Sequence, residues 1–340
     1  MTRGLKWIYA PVLAAALLSG VSKGAPKAPL VLIHTTPLPD IDGDFDHFAV
    51  DVKGNRLFLT AEDHHSVEVF ELGSGKFLRS LGGFSTPHSV RYMPEQNELL
   101  VVDGGDGSCK VVRGDNYQII KTLKVGPEAD SMGYDPSTKR LFIGAGGEEA
   151  KMDHSLLVAV DGANGKTLGE MTINSGNIEA MAVEKSGPKL FANIRDKHQI
   201  GVIDREKMAM LTTWTLAGVQ LNTTMALDEA NHRLLIAGRK PGKLAVLDSD
   251  SGKIIATFPC VDGADDMSLD IPGNRLYITG AEGFADVFER ISPDQYRLLA
   301  KVPTGYRGKN SVLVPEIKQF YVSSSKHENK PAELKVYRVE

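Results

Sequence analysis

Seven of the nine histidines in this sequence fall in two series of short polar segments. The first series precedes a run of β-forming residues each time: Asp46-His47, His88, Asp130, Glu179, Asn222, Asp265-Asp266 and Lys309-Asn310. The second lies between two such runs: Glu62-Asp63-His64-His65, Asp103, Asp106, Glu148-Glu149, Asp153-His154, Arg195-Asp196-Lys197-His198, Arg239-Lys240, Glu282 and Lys326-His327. Only His34 and His232 lie elsewhere. Imidazoles and carboxylates are the groups of proton transfer and of divalent-metal ligation. His47, His88, Asp130 and Glu179 form a candidate ligand set for a divalent metal that leaves positions open to a substrate. No fixed spacing of the His-Glu-x-x-His kind supports that set, and hydrogen bonds closing a polar ring are the competing outcome.

The basic residues are unevenly placed. The early segments offer carboxylates and imidazoles, whereas the later ones bring Arg195, Arg239, Lys240, Arg307 and Lys309. A zwitterionic or anionic ligand fits a mouth polarised in this way, with its negative charge toward the basic side. Asp46, His47, His88, Asp130, Glu179, Asn222, Asp265 and Lys309 are therefore the expected ligand-binding residues. Other chemistries are absent from the sequence. There is no Cys-x-x-Cys-His for covalent haem, no Gly-x-Ser-x-Gly elbow and no phosphate loop. Two tryptophans are too few for the repeated docking motif of quinoprotein propellers.

A repeat must position these segments. One phrase, a polar residue followed by Leu or Phe and a β-forming run, is written seven times. Its forms include Arg56-Leu57-Phe58-Leu59, Glu98-Leu99-Leu100-Val101, Arg140-Leu141-Phe142-Ile143 and Gln319-Phe320-Tyr321-Val322. Successive copies stand 42, 42, 49, 44, 42 and 44 positions apart. A period in the forties with several short strands per unit is the signature of propeller blades. Each unit carries four strand signals joined by turns containing Gly, Asn or Pro, such as Lys53-Gly54-Asn55 and Gly252-Lys253. The expected fold is all-β, a seven-bladed β-propeller of four-stranded antiparallel blades. The seventh unit lacks its fourth strand, and residues 30–35 match that strand's phrase. They are expected to join the last blade and close the ring, which leaves no long unpaired edge. In such a ring both polar series lie on one face, around the axial channel.

The phrases Asp46-His47-Phe48-Ala49-Val50-Asp51, Gly54-Asn55-Arg56-Leu57-Phe58, Lys185-Ser186-Gly187-Pro188-Lys189 and Met225-Ala226-Leu227-Asp228 resemble those of the bacterial YncE-like, YVTN-repeat β-propeller proteins. The resemblance covers the chain beyond its first residues. It implies seven blades and an exported location, and little about chemistry. The eponymous Tyr-Val-Thr-Asn string departs here to phrases such as Tyr277-Ile278-Thr279-Gly280.

The first residues set the compartment. Arg3 and Lys6 precede an apolar run over residues 7–18 and the small residues Ser19, Gly20, Ser22 and Gly24. That order is the order of a secretory signal peptide, expected at 1–24, with one propeller domain over 25–340 and a periplasmic or secreted product. Removing Arg3, Lys6 and Lys23 takes the formal charge from -4 to -7. An acidic chain has no electrostatic footprint for nucleic acid or for an anionic membrane surface, and no later run is long enough to span a bilayer. The two cysteines, Cys109 and Cys260, fall in the second and fifth units and are expected to stay unpaired. The chain is read as a monomeric binding or scaffold propeller that takes a small molecule or a protein at its top face. The alternative is a hydrolase, lactonase or lyase that uses the axial histidines and carboxylates, with or without a divalent metal.

Overall fold

Every copy of the apolar phrase becomes the second strand of a four-stranded antiparallel sheet. A computed structural model describes Met1 and residues 27–340 and contains seven such sheets. The expected leader at 1–24 thus lies outside the described residues, Met1 apart. The innermost strands are Phe45–Asp51, Pro87–Met93, Met132–Asp135, Ile178–Val183, Asn222–Asp228, Ala264–Asp270 and Ser311–Val314, which head blades 1 to 7 in that order. They stand side by side around a central axis, and blade 1 neighbours blade 7. Among the described residues no helix is long and apolar enough to cross a membrane.

The burial pattern explains why these sequences take these places. Second strands such as Arg56–Ala61 and Lys189–Ile194 are buried from their second residue to their last, because neighbouring blades cover both of their faces. Fourth strands such as Phe77–Leu81 and Ile119–Lys124 face solvent and carry polar residues among their apolar ones. Seven apolar clusters form the core, one in each gap between adjacent blades. Leu57, Leu59 and Phe70 of blade 1 pack on Tyr321, Leu334 and Val336 of blade 7, and Phe58 and Val69 pack on Leu99 and Val101 of blade 2. The apolar surface is used between the blades, so the axis is left to polar residues.

The ring closes as the sequence predicts. Leu30–Leu38 is the outer strand of the last blade and pairs antiparallel with Ala332–Val339, from Leu30 opposite Val339 to Leu38 opposite Ala332. The strand runs three residues beyond the expected 30–35, through Pro37. Proline is tolerated there because an outermost strand needs ladder donors on one side only. The Thr36 hydroxyl donates to the Gly75 carbonyl at 2.7 Å, which ties the closing strand to blade 1. Cys109 and Cys260 are both free.

Candidate functional site

The backbone at the start of each innermost strand decides which side chains reach the axis. In five blades the ladder skips residues there: Asp46-His47, His88-Ser89, Glu179-Ala180, Thr223 and Asp265 lie between consecutive paired positions. Such bulges re-aim side chains and interrupt the hydrogen-bond ladder. In blades 3 and 7 the innermost strand begins late, at Met132 and Ser311, leaving Asp130 and Lys309 ahead of it. Both devices turn charged side chains inward, where a cavity of about 200 Å³ lies at the axial mouth.

Seven of the eight expected residues line this cavity: Asp46, His47, His88, Asp130, Glu179, Asp265 and Lys309. Asn222 does not. Its side-chain amide donates to Asn193 Oδ1 at 2.6 Å and to the Gln199 carbonyl at 3.0 Å, and Thr223 takes the axial position instead. Glu62, Arg195, Arg239 and Asp266 also line the wall. All four stand in the two polar series, but sequence spacing does not separate them from outer-loop residues such as Lys240. Ser131, Asn177 and Thr224 join them, each one or two residues from a series position.

The wall has two sectors. In the acidic one, His88 Nδ1 stands 3.0 Å from Asp46 Oδ2, 3.4 Å from Glu62 Oε2 and 3.9 Å from Asp130 Oδ1. His47 lies between Asp46, at 3.5 Å, and Asp266, at 3.4 Å. In the basic sector Arg195 binds Glu179 at 2.6 Å, Arg239 binds Asp265, and Lys309 reaches Asp265 at 3.1 Å. Arg307 turns out of the cavity to Asp44. Four of the five cations expected to receive an anion, Arg195, Arg239, Arg307 and Lys309, are therefore already engaged by carboxylates of the chain, and Lys240 does not line the cavity.

These contacts displace the titrations. Burial works against the charged imidazole of His88, yet hydrogen bonds with Asp46 and Glu62 and the charge of Asp130 push its pKa up to about 11. Burial likewise opposes His47, and Asp46 and Asp266 raise it well above the ordinary histidine value. Asp46 would rise through burial, but His47, His88 and Lys309 hold it far below the carboxylate range. Asp130 lacks such support. Burial and the charges of Asp46 and Glu179 outweigh His88 and His47 and raise it to about 7. Glu179 is also raised, by burial first, against Arg239 and Arg195.

Of the four residues expected to bind metal, His88 alone belongs to the close donor group found among the described residues. That group is Asp46, Glu62 and His88, with one ligand atom from each lying within 4.8 Å of the others. Glu179 is held in the opposite sector by Arg195. His47 faces Asp266 on the far side of Asp46.

No protein-family model matches the chain, and neither does any curated protein sequence. Solved structures match its fold. A chain of the Kuenenia stuttgartiensis hydrazine synthase superposes with a TM-score of 0.75 at 17% identity, over 88% of this chain and 98% of that one. A chain of a mitotic checkpoint complex superposes at 0.76 and 14% identity, over 99% of both. At such identities the likeness establishes the seven-bladed propeller fold alone.

Proposed function

We propose that this chain is an exported, monomeric binding propeller of the YVTN-repeat kind, whose axial mouth holds a small polar or zwitterionic molecule. One observation carries the reading. All seven blades send polar side chains to a single cavity, from the starts of their innermost strands and from the segments that follow their second strands. The cavity, at about 200 Å³, is smaller than the roughly 300–1,000 Å³ of drug-sized sites. It calls for a ligand of few atoms. A carboxylate on that ligand would exchange into the ion pairs of Arg195 and Arg239, and an ammonium would face Asp130. A protein seated on the same face is the second kind of partner that the fold admits. Hydrolase, lactonase or lyase chemistry is not favoured. Two of the three wall hydroxyls, those of Ser131 and Thr223, donate to the carbonyls of Ile178 and Leu221, at 2.9 and 3.0 Å, instead of to a base.

Thermal shift followed by calorimetry with small amino acids, amines and carboxylates tests the mouth. A bound compound is expected to lose about tenfold in affinity in Asp130→Asn, the loss of one charge-assisted contact. Absence of any stabilising compound, or binding unchanged in Asp130→Asn, overturns the reading. N-terminal sequencing of protein from the native host tests export, with a start between Val21 and Pro26 as the expected result.

A further inference from the structure

We propose that the acidic sector of the mouth is a divalent transition-metal site built from His88 Nδ1, Asp46, Glu62 and Asp130. The donors come from four separate segments: the bulged starts of blades 1 and 2, the loop between the second and third strands of blade 1, and the lead-in to blade 3. Ligand atoms about 2.1 Å from a metal stand about 3.0 Å apart at octahedral right angles and about 3.4 Å apart at tetrahedral corners. His88 Nδ1 stands 3.0 Å from Asp46 and 3.4 Å from Glu62, with Asp130 a wider corner at 3.9 Å. The imidazole-to-carboxylate spacings of Asp46 and Glu62 are those of a coordination shell, and the three donor atoms lie within 4.8 Å of one another.

A metal bound here displaces the proton that His88 holds, and that proton serves only part of the arrangement. One N–H points along one line, and here it bonds with Asp46 at 3.0 Å. Glu62, at 3.4 Å, shares that N–H at a longer distance, and Asp130, at 3.9 Å, is left with the attraction of its charge alone. A divalent ion is met by Asp46, Glu62 and His88 at once, with Asp130 beside them to close in as the fourth donor. The imidazole also selects the ion, because one nitrogen with three carboxylates suits Zn²⁺ or Mn²⁺, whereas Mg²⁺ and Ca²⁺ prefer shells of oxygen.

The ring is set in place before any ion arrives. The Thr60 hydroxyl donates to the His88 carbonyl at 2.7 Å, and a Cβ on Gly104 would lie 2.9 Å from the imidazole. Braces of this kind also tie other neighbouring blades, as from Asn193 to the Thr223 carbonyl and from Thr279 to the Lys309 carbonyl, and here the brace and the missing side chain also hold the donor atom in place. Coordination positions on the cavity side would take water or an oxygen of the bound molecule. The proposal deepens the reading of the mouth as a binding site and rests on it only for that last ligand.

The test uses the mature chain, stripped with EDTA and titrated at pH 8 with ZnCl₂ and MnCl₂, with MgCl₂ and CaCl₂ as controls. One Zn²⁺ per chain is expected to survive gel filtration and to raise the melting temperature. Glu62→Gln and His88→Ala should each weaken Zn²⁺ binding by about 100-fold or more, since even outer-shell partners are worth 10–100-fold. Circular dichroism establishes that the variants are folded, and Glu62→Gln, the milder change, stands in if His88→Ala does not fold. Co²⁺ loading adds a visible absorption band that loss of His88 should alter. No stoichiometric Zn²⁺ in the wild type, or undiminished binding in either folded variant, overturns the site. If the stripped protein binds a small molecule in the mouth yet holds no metal, the metal site falls and the binding mouth stands. If it holds metal but takes no small molecule, the metal site stands and the binding mouth falls.

Discussion

At the scale of single residues, the mouth depends on groups that place other groups. Gly104 lies so close to His88 that an added Cβ would sit 2.9 Å from the ring and 3.0 Å from the Ala129 carbonyl. Gly104→Ala must therefore push the imidazole off its carboxylates. The expected result is a loss of about tenfold or more in whatever the mouth binds, with about 1–3 kcal/mol of destabilisation from overpacking. Calorimetry and urea unfolding on one preparation check both parts, and unchanged affinity would show that the ring position is immaterial. Asp286 in blade 6 offers a test away from the mouth. It is buried, one of its oxygens has no hydrogen-bond partner, and burial raises its pKa to about 6 against Lys301 and the Val261 amide. A carboxyl raised on folding contributes stability that is complete below its unfolded pKa near 4 and is lost as pH rises through 6. Asp286→Asn is then expected to be more stable than the wild type at pH 8, by an amount on the order of 1–3 kcal/mol, and no more stable at pH 4. Melting curves of the two proteins at both pH values decide it; equal curves at pH 8 would count against the buried charge.

At the scale of elements, two kinds of strand act beyond their hydrogen bonds. The innermost strands use bulges at their starts to hand residues such as Glu179 to the axis while Ile178 and Met181 stay in the ladder. The closing strand Leu30–Leu38 gives the last blade its outer edge, with Leu30 and Leu38 buried and Leu32 and Ile33 exposed. A chain that starts at Pro39 loses this pairing and uncovers the third strand of blade 7 as a new edge. Burying two leucines contributes about 1.5–3 kcal/mol each, so the melting temperature should fall on the order of 10 °C relative to a chain starting at Lys27. Self-association should rise with it. Scanning calorimetry and light scattering measure the two effects, and a melting curve that does not move would mean that the ring needs no such clasp.

At the scale of the whole molecule, the ring separates stability from function. Apolar contacts lie in the seven gaps between blades, as in the cluster that joins Phe142 and Leu157 of blade 3 to Leu190 and Ile203 of blade 4. Truncating one such phenylalanine would cost about 3–5 kcal/mol wherever it sits in the ring. The axis contributes little apolar area. It gathers charged groups from positions as distant in sequence as Asp46 and Lys309, and both sectors exist only because the ring is closed. A blade taken alone would leave these groups in water as ordinary surface charge, with neither the displaced titrations nor the close donor spacing.

The sequence determined the repeat, the number of blades, the exchange of the last strand to the other end of the chain, and the face that gathers the histidines. These follow from local pattern. Apolar runs such as Leu57-Phe58-Leu59 recur at a period in the forties, turns carry their own residue signatures, and the missing fourth strand of the seventh unit is a matter of counting. Seven of the eight expected axial residues were legible for the same reason, since each stands at or just before the start of an innermost strand. Only the tertiary structure decided the rest. Asn222 and Thr223 are equally good candidates by position, and a one-residue slip at a bulge turns one into the blade and the other to the axis. Glu62 stands beside His88 because blades 1 and 2 pack side by side, not because of any spacing between the two residues. Arg195 and Arg239 look like free cations in the sequence and prove to be committed to Glu179 and Asp265. Whether a charge is free or paired is a property of distances of roughly 3–4 Å, and these are set by the packing of one blade on the next.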